Sequence, residues 1–307
     1  MKAWAIYSRL VLTTVCWAAV FHVAKFTVAA ASPAAVVAWR FMLAAAILVP
    51  VVWYRERLPW QALRRNALPL LAMSAIGIFG FNIATFYGLR STSATNAAMI
   101  MALNPAMTAV LAALVGRERV SRHQIAGLVL GIAGVMVVVS HGSWQAIATL
   151  SFSGGDLLML LASFCWACYP VIPKRFISGM SPMQITASTI AGGAFLMALF
   201  ALRAAPDFMD APSGPVVAGI AFMGVFGTVL AYIWWNQGVK ALGAPAVAGF
   251  INLVPMLTAG FGLMLGQPVS WAQACGAILV VTGVLYPSLA PALRLRWAAP
   301  AKSWSRG

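Results

Sequence analysis

The sequence predicts an all-α integral membrane protein of ten transmembrane helices, built as two inverted five-helix repeats. Three observations carry that prediction. Charge is scarce, at 8% of 307 residues against 62% hydrophobic, where soluble chains carry about a quarter charged residues. The apolar residues fall into ten runs of about 20 residues, the length that crosses a hydrocarbon core. The chain also repeats itself: at an offset of 150, Gly88 meets Gly238, Ala94 meets Ala244, Pro105 meets Pro255 and Gly116 meets Gly266.

In order, the runs are 10–30, 34–54, 68–89, 94–115, 124–140, 155–173, 182–202, 214–238, 244–265 and 272–291, the fifth and sixth being short for a full crossing. Lys2 and Arg9 before an apolar stretch ending in AAAS have the look of a signal peptide. Lys25 interrupts that stretch, however, and the stretch has its own copy later in the chain, so it is read as helix 1. With the N-terminus inside, the inner segments hold Lys2, Arg9, Arg55, Arg57, Arg64, Arg65, Arg117, Arg119, Arg122, Lys174, Arg175, Lys240, Arg294, Arg296, Lys302 and Arg306. The outer connections hold only Arg90 and Arg203. That asymmetry puts both termini of a multi-pass membrane protein in the cytoplasm. It also accounts for the formal charge of +15 without a nucleic-acid partner.

The repeat extends well beyond the opening match. At an offset of 149, Cys16-Trp17-Ala18 meets Cys165-Trp166-Ala167, Lys25 meets Lys174, and Ser32-Pro33 meets Ser181-Pro182. Gly77 meets Gly227 at 150, and Gln124, Gly127 and Gly134 meet Gln273, Gly276 and Gly283 at 149. Five spans per half is an odd number, so the second half crosses in the opposite sense, about an axis in the membrane plane. The expected organisation is a first repeat over 1–140, an outer loop over 141–154, a second repeat over 155–291 and a basic cytoplasmic tail over 292–307. Gly127-x-x-x-Gly131 is a close-approach pattern, read as packing of helix 5 on helix 10. A homodimer contact is the other reading, so the chain is taken as a monomer or a homodimer.

Pro105 and Pro255 sit near the middle of their runs and lack the N–H that would serve the carbonyls of Met101 and Ile251. In hydrocarbon such carbonyls persist only where they face protein, water or a solute, and paired interrupted helices point to a transporter's binding site. These prolines are the expected hinges. Around them, Trp17 and His22 on helix 1, Phe79 and Asn82 on helix 3, Asn96 and Asn104 on helix 4, Trp166 and Tyr169 on helix 6, Trp235 on helix 8 and Asn252 on helix 9 are the candidate substrate-binding residues. Aromatic walls with a few amides suit a zwitterionic or neutral organic solute that has an apolar part. Lys25, Arg40 and Asp156 form the candidate electrostatic set, with Lys25 and Arg40 either snorkelling to the interface or offering a positive outer cavity to a carboxylate. If protons are coupled, His22 is the intramembrane candidate, since no carboxylate lies at mid-span; uncoupled passage is the alternative.

No metal-ligand cluster, phosphate-binding glycine loop or nucleophile–base spacing occurs, so no metal, cofactor or enzymatic role is expected. Cys165-x-x-Cys168 is the one pattern that suggests redox chemistry. It defines a rival reading, a polytopic membrane thiol oxidoreductase, against that of small buried packing residues.

Some of these residues carry a resemblance. W-A-x-x-F-H-x-A-K in helix 1, Ser32-Pro33, W-R-F at 39–41, F-Y-G-L-x-x-T-S-A, V-G-R-E-R-V-S and G-x-x-L-G-I-x-G-V resemble the EamA family of the drug/metabolite transporter superfamily, over essentially the whole chain. The resemblance implies five-plus-five inverted helices and export of small metabolites, often amino acids, by alternating access. Trp17, Lys25, Pro33, Arg40, Pro105 and Glu118 match family positions. In the second copy Thr189 stands where Arg40 does and Gln267-Pro268 where the Arg-Glu does. The aromatic walls look like those of exporters of aromatic and hydrophobic amino acids. Sugar-nucleotide or drug-like cargo is the alternative within the superfamily.

Overall fold

The structure, a computed structural model, describes residues 3–57, 59–116, 122–145, 153–242, 247 and 249–297. Among these, seven helices are long and apolar enough to cross a membrane, and three apolar helices are shorter. In chain order they are α1 (Ala3–Ala30), α2 (Pro33–Glu56), α3 (Ala67–Ser91), α4 (Ala94–Val115), α5 (Arg122–Val139), α6 (Gly154–Pro173), α7 (Pro182–Ala204), α8 (Gly214–Gly238), α9 (Leu253–Met264) and α10 (Trp271–Trp297). The sixth run is thus long enough to cross. The helix of α10 runs on through residues 292–297, where the sequence suggested a tail; residues 298–307, like Glu118, lie outside the described residues.

The helices are apolar all round, as bilayer segments must be. Large side chains such as Phe195, Leu199 and Leu202 of α7 stand outward, while Met73, Ile78, Phe86, Met159 and Ile190 fill the interior. Two of the sharp turns are specified by the same dipeptide. Ser32 caps α2, its Oγ accepting from the Ala35 N–H at 3.3 Å, and Pro33 occupies the first turn, where no N–H is needed. Ser181-Pro182 does the same for α7, completed by a capping box in which Gln184 Oε1 accepts from the Ser181 N–H at 2.9 Å.

The packing is reciprocal. Helix α1 lies against α8 and α9; α6 lies against α3 and α4; α2 pairs with α7 and α5 with α10. The α5–α10 seam is the closest. A Cβ on Gly134 would stand 2.6 Å from the Gly276 carbonyl oxygen, one on Gly276 2.7 Å from that of Gly134, and one on Gly283 2.5 Å from that of Gly127. These glycines let the two backbones touch, which is how helices gain contact where lipid offers no hydrophobic drive.

The bundle has two ends. At the Ser32 end, the Ser32 N–H donates to Asp207 Oδ2 at 2.8 Å and the Trp39 indole N–H to the Phe208 carbonyl at 3.2 Å. At the Ser181 end, Asn66 Nδ2 donates to the Ser178 carbonyl at 3.0 Å, Gln184 Nε2 to that of Arg57 at 2.7 Å, and Arg9 to Gln237 Oε1 at 2.7 Å.

Two stretches leave the regular α-helical register. Met73–Gly80 within α3 and Val225–Leu230 within α8 form π-helical turns around the matched glycines 77 and 227. A Cβ on Gly77 would stand 2.5 Å from Tyr169 Cδ2, and one on Gly227 2.5 Å from Val20 Cγ2. Tyr169 and Val20 are themselves repeat partners at the offset of 149.

The glycine seam yields a test. Gly276→Leu is expected to cost about 1–3 kcal/mol by overpacking, read as a lower thermal midpoint of the purified protein in detergent. Gly260→Ala on α9, where an added Cβ meets nothing within 4 Å, is expected to hold or raise it, since Ala favours a helix over Gly by about 0.5–1 kcal/mol.

Candidate functional site

A cavity of about 890 Å³, including the part open to solvent, lies at the centre of the bundle. Its wall takes residues from α1, α2, α3, α4, α6, α8 and α9 and from the turn Gly249–Asn252 that precedes α9. Helix α4 is interrupted at Ala102 and Leu103, between Ala94–Met101 and Asn104–Gly116. Met101, Ala102 and Asn104 on one side and Ile251, Val254 and Pro255 on the other face the cavity. The carbonyls that Pro105 and Pro255 leave unserved thus belong to Met101 and Ile251, two residues of the cavity wall.

Aromatic rings form the rest of the wall. Phe81 and Trp166 lie 4.9 Å apart centroid to centroid, Trp166 and Tyr232 meet edge-on at 6.3 Å, and Tyr232 and Trp17 at 6.4 Å, separations at which rings attract through their quadrupoles. The Trp17 indole N–H donates to the Gly227 carbonyl at 3.1 Å. The π turn that loosens α8 is therefore tied back to α1 at the cavity. Asn82 Nδ2 donates to the Ile78 carbonyl at 2.8 Å and Asn104 Nδ2 to that of Ser163 at 2.8 Å.

Arg40 reaches the cavity from α2. The residue is 6% exposed. Its Nε donates to Thr228 Oγ1 at 3.2 Å, and its guanidinium carbon lies 5.1 Å and 5.6 Å from the ring centroids of Phe41 and Phe86.

Of the residues singled out from the sequence, Trp17, Asn82, Asn104, Trp166, Pro255 and Arg40 line the cavity. The others stand elsewhere. His22 Nε2 bonds the Thr258 carbonyl at 2.8 Å, holding α1 to α9. Asn96 Oδ1 accepts from Gln273 Nε2 at 2.7 Å, joining α4 to α10. Tyr169 stacks on Trp166 at 5.4 Å, and its hydroxyl meets Thr189 Oγ1 at 2.9 Å. Trp235 packs against Trp17 at 5.0 Å, the two rings tilted by 47°. Phe79 packs edge-on against Phe200 at 5.7 Å. Pro105 is off the wall, and the side chain of Asn252 lies outside the described residues.

The electrostatic set divides as well. Lys25 does not face the cavity. Its Nζ donates to the carbonyls of Leu89 at 2.6 Å, Arg90 at 3.2 Å and Thr92 at 2.8 Å, so a cation caps the C-terminus of α3, where the helix dipole favours it. Asp156, 1% exposed, accepts from Thr92 Oγ1 at 2.5 Å in the first turn of α6. Lys25, Thr92 and Asp156 thus form one chain across α1, α3 and α6 at the Ser32 end.

Phe81, Thr85 and Phe41 line the cavity without having been singled out. A regular 3.6-residue reading put Phe79, Asn82 and Phe86 on one face of α3. The π turn ending at Gly80 widens the helix by about one residue, rotating Phe79 away and bringing Phe81 and Thr85 in with Asn82 and Phe86. The matched glycines 77 and 227 are the available signal for that turn. Cys165 and Cys168 carry free thiols and neither lines the cavity.

The model of the EamA-like transporter family matches the chain twice, over residues 4–140 and 153–288. The chain belongs to the EamA-like transporter family. It is accordingly a membrane transporter and not an enzyme, and the thiol-oxidoreductase reading falls. Among its relatives, the uncharacterized transporter YyaM of Bacillus subtilis is 39% identical over 290 residues, covering 94% of this chain and 95% of that one. A probable amino-acid metabolite efflux pump of Salmonella typhimurium is 26% identical, covering 89% and 91%. A solved crystal structure, 20% identical, superposes over 93% of this chain and 98% of its own with a TM-score of 0.65, which shows the shared fold.

The Lys25 cap gives a further test. Lys25→Met leaves three carbonyls without their charged donor and is expected to lower stability by about 2 kcal/mol, read as a lower thermal midpoint in detergent. An unchanged midpoint would show that water serves those carbonyls equally well.

Proposed function

We propose that the chain exports small metabolites across a bacterial inner membrane by alternating access, with amino acids bearing an apolar or aromatic side chain as the first candidates. The observation that carries this reading is the aromatic, amide-bearing cavity at the meeting of the interrupted α4 and the proline-bearing α9, in a chain of a transporter family. The amino-acid cargo draws support from the relative named a probable amino-acid metabolite efflux pump. Sugar nucleotides fit less well, because their phosphates would meet a wall whose only charged side chain among the described residues is Arg40.

In this reading the ten helices form two inverted five-helix units with both termini cytoplasmic. The pairing of α1 with α8 and α9, reciprocated by α6 with α3 and α4, supports it, as does the two-fold family match. The glycine seam of α5 and α10 keeps the units in register while α4 and α9 flex at Pro105 and Pro255. Solute enters from one end, rests against Trp17, Trp166 and Tyr232, and leaves when the opposite end parts. The hydrogen bonds of Lys25, Thr92 and Asp156 close the Ser32 end; those of Asn66, Ser178, Glu56 and Ser181 close the other.

Efflux of radiolabelled phenylalanine, leucine and glutamate from proteoliposomes holding the purified protein tests the proposal. Phenylalanine is expected to leave faster than glutamate. Trp166→Ala is expected to slow it about tenfold, an aromatic contact of about 1.5 kcal/mol, and Cys165→Ser with Cys168→Ser to leave it unchanged. No efflux of any of the three above empty vesicles removes the amino-acid reading.

A further inference from the structure

The cavity holds an unbalanced charge. Among the described residues Arg40 is the only charged side chain on its wall, and the matching position of the second half is Thr189. The Thr189 hydroxyl is already engaged by Tyr169 and by the carbonyls of Ile185 and Thr186, so the second half offers no counterpart. The Arg40 Nε–H is taken by Thr228 Oγ1, and the rings of Phe41 and Phe86 flank the guanidinium. Among the described residues, Nη1 and Nη2 have no hydrogen-bond partner and no carboxylate pairs with them. Among the described residues, neither nitrogen stands with Asp207 Oδ1 as a fully buried side-chain atom left without a partner; both keep some exposure, on a residue that lines the cavity.

A guanidinium inside a membrane protein normally has an anion or carbonyls to hold. Here the free edge presents parallel N–H groups in the geometry that a carboxylate accepts with both oxygens. The wall provides nothing comparable for an ammonium group. Asp156 is engaged by Thr92 and lies off the wall, and Asp207 belongs to the connection at the Ser32 end. An amine would find no carboxylate there among the described residues, only neutral acceptors such as the Met101 and Ile251 carbonyls and ring faces each worth about 0.5–2 kcal/mol.

We infer that Arg40 anchors the carboxylate of the cargo and that the cavity selects for a single net negative charge. Aryl and alkyl monocarboxylates then bind at least as well as the zwitterionic amino acid of the same skeleton, and the corresponding amine binds more weakly than either. The inference rests on the transport reading and narrows its substrate class to carboxylates recognised by their acid group rather than by their amine.

Titration of the intrinsic fluorescence of the purified protein, which carries Trp17 and Trp166 on the cavity wall, with 3-phenylpropionate, phenylalanine and 2-phenylethylamine tests it. In the wild type, 3-phenylpropionate is expected to bind as tightly as phenylalanine or tighter, and 2-phenylethylamine at least tenfold more weakly. Arg40→Gln is expected to bring the three within about threefold of one another; Arg40→Lys is expected to keep the order while weakening 3-phenylpropionate about tenfold, as the two-point contact is lost. The inference is overturned if the amine matches the propionate in the wild type, if none of the three binds at millimolar concentration, or if Arg40→Gln preserves the wild-type order. Should Arg40→Gln fail to elute as a single species, Thr228→Val removes the Nε partner together with the Thr228 bond to the Met223 carbonyl and is expected to retain the carboxylate preference, whose loss would count against the anchor. Charge-ordered binding without flux in proteoliposomes would retire the transport reading and keep the anchor. Flux of phenylalanine that ignores Arg40→Gln would do the reverse.

Discussion

Everything in this fold answers to the absence of water in the bilayer core, where an unserved backbone carbonyl costs several kcal/mol. Regular helices meet that demand internally, and most of the chain is regular helix. Among the described residues the exceptions are few and most are placed alike in the two halves, the break at Tyr169 and Pro170 in α6 having no counterpart in α1. The π turns at Met73–Gly80 and Val225–Leu230, the break at Ala102 and Leu103, and the turn Gly249–Asn252 before α9 all lie beside the central cavity or against a helix that serves them. Irregular backbone and solute space coincide because that is where a loosened carbonyl finds a partner.

The polar side chains divide along the same line. His22, Asn96, Asn104 and Lys25 spend at least one polar group on another helix. In hydrocarbon the alternative for those groups is no partner at all, so interhelical bonds hold the bundle together at its ends and flanks. Arg40 is different. It lies deep in the bundle, shares one N–H with Thr228 and leaves the rest of its fork toward the cavity. Among the described residues its other N–H groups have no protein partner, which separates it from Lys25.

Much of the architecture was legible in the chain. The apolar runs, the 149–150 offset and the Ser-Pro turns marked helices that the structure shows, and the glycines of α5 and α10 marked a seam that it closes. The site was legible in part. Trp17, Trp166 and the proline-disrupted helices drew attention to the cavity because tryptophans matched between halves and mid-span prolines have few other uses. Phe79 and Phe81 were misjudged for a definite reason: a π turn changes the residue-per-turn count, and no pattern of apolar residues records it. His22 and Asn96 looked like ligand groups because a polar residue in a span carries the same signature whether it serves a solute or a neighbouring helix.

Sequence alone marked the apolar segments, the internal match at an offset of 149–150 and the prolines that weaken the helices, because those properties follow from local hydropathy, spacing and missing N–H groups. Only the tertiary structure decided which polar side chains are spent on other helices and which remain free, because a hydrogen-bond partner 60 to 230 residues away leaves no trace at the position it satisfies. The division between Lys25, bound to the end of α3, and Arg40, left open to the cavity, is of that second kind.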